Sequence, residues 1–111
     1  MQISTDVWVS ALIRRAQLAG ANAVVARRGD LRAGAVLIRT WNTLERTARL
    51  YSESIGADGE RLWIQPHPDA FESELDAYAR RQVDFDQDLW IVEVEDREGR
   101  HFLVDDVAGE P

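Results

Sequence analysis

His67 and His101 are the chain's two histidines, and neither has a second histidine or a cysteine at ligand spacing. A two-histidine zinc site would need both, closed by a carboxylate. The simpler reading places each on the surface of a loop or strand. Asp84, Asp86, Asp88 and Glu95 take positions one, three, five and twelve of a calcium-binding loop. The sixth position, where that loop turns on a glycine, is Leu89, and Trp90-Ile91-Val92 continue as a strand. The run reads as a solvated acidic connector, and no metal is expected. Glu93 and Glu95 project from one face of that strand, a pair able to share a proton or a metal. No lysine follows to complete a carboxylate–lysine set.

Cysteine and lysine are both absent, which removes thiolate nucleophiles, disulfides, Schiff bases and P-loop lysines. The chain has no G-x-S-x-G, G-x-x-x-x-G-K or G-x-G-x-x-G motif. Arg28-Gly29-Asp30 spells an adhesion tripeptide but reads as a strand end entering a turn. No catalytic residue and no cofactor are expected.

Arg15 stands out. On a helical wheel it falls inside an apolar arc, between Ala11 and Trp8. A guanidinium there must snorkel, stack on a ring or meet a carboxylate, because an unpaired buried charge costs several kcal/mol. A carboxylate partner is the structural expectation, and an anionic ligand the functional one. Trp41 and Trp63 join Arg15 as candidate ligand-binding residues, on the supposition that the two rings flank an arginine-lined hollow.

These residues need elements to position them. Thr5–Ala19 reads as a helix, capped by Ser4 or Thr5 and stopped by Gly20. Its apolar arc centres on Trp8. Ala23–Arg28 and Gly34–Trp41 read as strands joined through Gly29-Asp30. Thr47–Ser52 and Arg61–Gln65 form a hairpin around Asp58-Gly59, which Pro66 and Pro68 end. A second helix runs from about Ala70 to Asp84, with Asp69 and Glu72 as a capping box. Leu89–Glu95 and Arg100–Val104 make a third hairpin, and residues 107–111 a frayed tail.

The order is α-β-β-β-β-α-β-β, an α+β fold with a largely antiparallel sheet of about six strands. Ala23-Val24-Val25-Ala26, Ala35-Val36-Leu37-Ile38 and Leu89-Trp90-Ile91-Val92 are continuously apolar. Strands apolar on both sides need cover on both sides, so one helix is expected on each face, an α/β/α sandwich.

At 111 residues and 45% hydrophobic, the chain suits a single domain, 1–111. It lacks a membrane-length apolar run and a signal-peptide layout, so no membrane partner and a cytoplasmic location are expected. The first 50 residues carry eight arginines against three acids, and the remainder five against seventeen, for a net charge of -7. A net-acidic chain without a basic cluster is a poor nucleic-acid binder. The complementary halves are expected to pair within the fold or across a homodimer.

Six stretches carry a resemblance: Trp8-Val9-Ser10-Ala11-Leu12-Ile13-Arg14-Arg15, Arg27-Arg28-Gly29-Asp30, Ala33-Gly34-Ala35-Val36-Leu37, Asp58-Gly59-Glu60-Arg61, Phe85-Asp86-Gln87-Asp88-Leu89-Trp90 and Glu95-Asp96-Arg97-Glu98-Gly99-Arg100. Together the chain resembles an alphaproteobacterial domain-of-unknown-function family, the one numbered fourteen ninety-one. The resemblance runs from Trp8 to about Leu103. It implies a bacterial, stand-alone domain with no assigned activity and no catalytic residues to carry over. The leading functional expectation is a non-enzymatic domain working through protein–protein contact or self-association. The alternative is a small-molecule enzyme or sensor that binds an anion through its arginines.

Overall fold

The runs Val36-Leu37-Ile38 and Trp90-Ile91-Val92 come to lie side by side at the centre of one sheet, where apolar side chains on both faces can be buried. The computed structural model describes residues 3–55 and 61–110. In chain order its elements are α1 (Thr5–Leu18), β1 (Asn22–Arg27), β2 (Val36–Asn42), β3 (Thr47–Ile55), β4 (Arg61–Ile64), α2 (Glu72–Phe85) and β5 (Trp90–Asp96). The sheet runs β1-β5-β2-β3-β4. β2 and β5 pair in parallel, with Ile38 beside Val92, and every other neighbouring pair is antiparallel.

The fold is α+β with a mainly antiparallel sheet and one helix on each face. Val9, Leu12 and Ala16 of α1 pack on Val36, Ile38, Val92 and Val94. On the other face Leu75 of α2 meets Leu37, Leu50 and Leu89, with Tyr78, Ala79 and Val83 half-buried around them. The buried stripe of α1 is centred on Leu12 rather than Trp8, and Leu18, at 76% exposure, lies outside it. Trp8 is half-buried and stacks on the fully buried Trp63, ring centroids 5.4 Å apart. The capping box does not form. Phe71 is the N-cap of α2, and Glu72 is drawn instead to Arg39, 3.1 Å away.

Three expectations change. β1 does not pair with β2; it pairs antiparallel with β5, with Ala23 beside Val94. The segment after β1 is pressed against the entry to β5: the Asp30 amide donates to the Asp88 carbonyl, and Trp90 Nε1 donates to the Asp30 carbonyl. A Cβ on Gly29 would overlap the Asp88 carbonyl oxygen, so this glycine serves a close approach and not a hairpin turn.

Second, among the described residues the sheet has five strands, because Arg100–Val104 is irregular. Phe102 sits at φ 63°, outside the extended region. Third, the end of the chain is tied down. The Trp63 amide donates to the Asp106 carbonyl at 3.0 Å, the Ala108 amide donates to the Trp63 carbonyl at 2.8 Å, and Val107 is buried. β4 is a short edge strand whose outward backbone groups need partners, and the tail supplies them. The Asp58-Gly59 turn lies outside the described residues.

Because Trp63 is enclosed and Leu18 is not, Trp63→Ala is expected to cost about 3–5 kcal/mol. Leu18→Ala should stay within about 0.5 kcal/mol. Urea denaturation of both variants measures the difference; equal losses would show that the tryptophan is not part of the core.

Candidate functional site

β4 pairs with β3 only over Ser52–Ile55. Beyond Gln65 come Pro66 and Pro68; proline lacks an amide donor and a free φ, and here the chain leaves the sheet. The first part of β3, Thr47–Tyr51, is therefore paired with β2 on one side alone. Among the described residues, its outer edge has no strand neighbour and no further backbone hydrogen bond.

A hollow opens on each face of this half-strand. On the α1 face it measures about 350 Å³ and is polar, walled by Asn42, Tyr51, Arg100, His101 and Glu110. On the α2 face it measures about 480 Å³ and is more apolar, walled by Trp41, Ala48, Ala70 and Phe71, with Arg46 at the hairpin end. Arg49 borders both.

The polar hollow is rigidly roofed by the turn after β5. Asp96, almost fully buried, accepts from the backbone amides of Glu98 and Arg100, and its two oxygens take Nε and Nη2 of Arg100, each at 2.9 Å. The Arg100 guanidinium holds the Asp96 carboxyl at about 2, below its ordinary value, with the backbone amides assisting. Gly99 turns at φ 68° directly over Asn42. Burial pushes the Tyr51 phenol upward, opposed by the charge and hydrogen bond of Arg49. His101 packs edge-on against the Tyr51 ring at 4.9 Å. Its Nδ1 accepts the Leu103 amide and its Nε2 faces Glu110 at 3.1 Å, so both ring nitrogens are engaged.

Charges inside the hollows are largely matched. Arg100 pairs with Asp96 and Glu98, His101 with Glu110, and Glu72 with Arg39. Among the described residues Arg46 and Arg49 have no carboxylate at ion-pair distance. Among the same residues no three His, Asp or Glu side chains gather in a metal-holding group. The arrangement offers open backbone, shaped recesses and two cations, which is the equipment of recognition.

The candidate residues are not brought together. Trp41 lies on the α2 face and lines the apolar hollow with Arg46 and Arg49, whereas Trp63 is in the core on the α1 face. Arg15 meets neither a carboxylate nor open space: Nε and Nη2 both donate to the Phe102 carbonyl, at 3.3 and 2.9 Å. Sequence reasoning passed over Arg49. The usable signal was Pro66, which cuts β4 short while β3 runs on.

A family model described as "Protein of unknown function (DUF1491)" matches residues 3–104. The chain belongs to this family. A DUF1491 family protein from Caulobacter crescentus CB15, solved by crystallography, is 58% identical, with a TM-score of 0.92 over 96% of this chain and 99% of that one. An NMR structure of a DUF1491 family protein from the same organism is also 58% identical, at TM-score 0.91 over 98% and 99%. A protein from A. tumefaciens, 29% identical, aligns over 100% of this chain and 98% of its own at TM-score 0.82. Among curated proteins none matches. The DUF1491 fold is thus shared along nearly the whole chain, and the family description assigns it no activity.

Two features of this DUF1491 chain yield direct tests. Arg15→Met removes both donors to a part-buried carbonyl and should cost about 1.5–3 kcal/mol, the range for a hydrogen bond to a charged group. A neutral result in chemical denaturation would show that the fork does not hold the segment at Phe102. Asp96 has a depressed folded pKa, so its contribution is present above the ordinary carboxylate range and lost as pH falls through about 2. Asp96→Asn should cost about 2–3 kcal/mol at neutral pH. The gap to the parent should close between about pH 4 and pH 2 in parallel thermal melts; a pH-independent gap would refute the linkage.

Proposed function

We propose that this DUF1491 protein is a non-enzymatic contact domain that receives an extended segment of a partner protein as an added strand along Thr47–Tyr51. The observation that carries this reading is the unpaired outer edge of β3, open between a hollow on each face. Strand addition draws affinity from main-chain hydrogen bonds and specificity from recesses that take alternate side chains. Both are present at one place. The opposite end of the sheet differs: β1 is broken by a bulge between Val25 and Arg27, a device that discourages pairing. The outer side of β4 is occupied by the tail.

The small-anion alternative has less support. Arg15, its leading residue, is spent on a backbone carbonyl, and Arg100 in the polar hollow is held by Asp96 and Glu98. The cytoplasm is the compartment we propose, since the sequence carries no cysteine that an oxidising compartment would use.

The test is an NMR titration with a blocked neutral peptide of alternating threonine and valine, followed by amide exchange. Shifts and slowed exchange are expected at Thr47–Tyr51 and at residues walling the two hollows. Perturbation confined to β1, or none at millimolar peptide, would reject strand addition at β3.

A further inference from the structure

The backbone of an incoming strand would be indifferent to sequence; the two recesses are not. We infer that the segment received by β3 carries a carboxylate at the position paired with Arg49, flanked by apolar residues. This rests on the strand-addition reading above and specifies the partner's chemistry.

Side chains of an added strand alternate between the two faces. Those on the α2 face would enter the hollow between Trp41, Ala48, Ala70 and Phe71. Phe71 is 78% exposed, and the Trp41 ring stands beside it in the wall, so an apolar side chain entering there would cover both. Residues pointing to the α1 face would meet a polar wall in which Arg100 is held by Asp96 and Glu98 and the His101 ring faces Glu110. The cation left available at the edge is Arg49, which borders both hollows and among the described residues has no carboxylate at ion-pair distance.

Directly opposed residues on adjacent strands interact most strongly, and opposite charges are favoured there. Among the described residues Glu45 and Asp69 wall the hollows with no cation at ion-pair distance. Glu45 belongs to the hairpin loop and Asp69 to the segment before α2, so neither is a rung of β3. Arg46 adds a second cation at the hairpin end, held at φ 59°, a conformation that glycine or asparagine adopts with less strain. Strain of that kind commonly accompanies a residue whose side chain is used.

The chain's net charge of -7 works against acidic ligands, so a preference for one must come from the local arginines. Three blocked pentapeptides, Thr-Val-X-Val-Thr with X as Glu, Gln or Lys, would be titrated against the intact protein by NMR. The Glu peptide should bind about two- to five-fold tighter than the Gln peptide, the size expected of a partly exposed ion pair. The Lys peptide should be weakest. With Arg49→Gln the Glu preference should vanish, and Arg49→Lys should restore most of it. Equal affinities for Glu and Gln, with shifts at Thr47–Tyr51, would overturn the carboxylate inference and leave strand addition standing. A tighter Lys peptide would overturn it as well. Absence of edge shifts with every peptide would overturn both. The peptide comparison on the parent decides the matter even if an Arg49 variant fails to fold.

Discussion

The parallel pairing of β2 with β5 is the constraint on which the rest of this molecule depends. Parallel neighbours cannot be joined by a tight turn, so the intervening chain must leave the sheet and return. Here it makes β3 and β4, then crosses one face as α2. A central pair buried on both faces also calls for cover on the other side, which α1 supplies. β1 is left one place, outside β5, and the loop after it must pass close to the start of β5. The contact between Gly29 and Asp88 follows from that route.

The unequal charge of the two halves is resolved inside the fold to a large extent. Arg39 meets Glu72 and Asp76, Arg27 and Arg15 donate to backbone carbonyls of the second half, and Arg28 lies over the Trp90 ring. Guanidinium suits these tasks because its fork can satisfy a carbonyl or a ring as readily as a carboxylate. Among the described residues Arg14, Arg32, Arg46 and Arg49 of the first half have no carboxylate at ion-pair distance, and two of them, Arg46 and Arg49, lie at the open part of β3.

Local signals in the residues proved sufficient for most elements and insufficient for their partners. The helices and five strands could be placed from periodicity and turn residues, and the continuous apolar runs correctly demanded a helix on each face. Strand pairing was harder. Gly29-Asp30 between two apolar strands has the composition of a hairpin, and nothing local distinguishes a glycine that turns from one that makes room. Arg100–Val104 has strand composition but no neighbour to pair with, and Arg15 holds it by the Phe102 carbonyl instead. Trp41 and Trp63 looked equivalent because the register that sends them to opposite faces is set by pairing across strands. The open edge at Thr47–Tyr51 arises from a difference in strand length, which Pro66 announces only once β3 and β4 are known to be neighbours.

The sheet order also has a kinetic side. β1 and the inner edge of β2 both wait for β5, which is synthesised after every other element described. Until then the hairpin of β3 on β2 can form, but β1 has no place to dock, and Ala23, buried in the finished sheet, stays in water. Contacts so distant in sequence must meet the loop-closure cost before they return any stabilisation, which slows folding. The nascent chain is therefore committed to a late, concerted closure in which β5 inserts between two strands already synthesised.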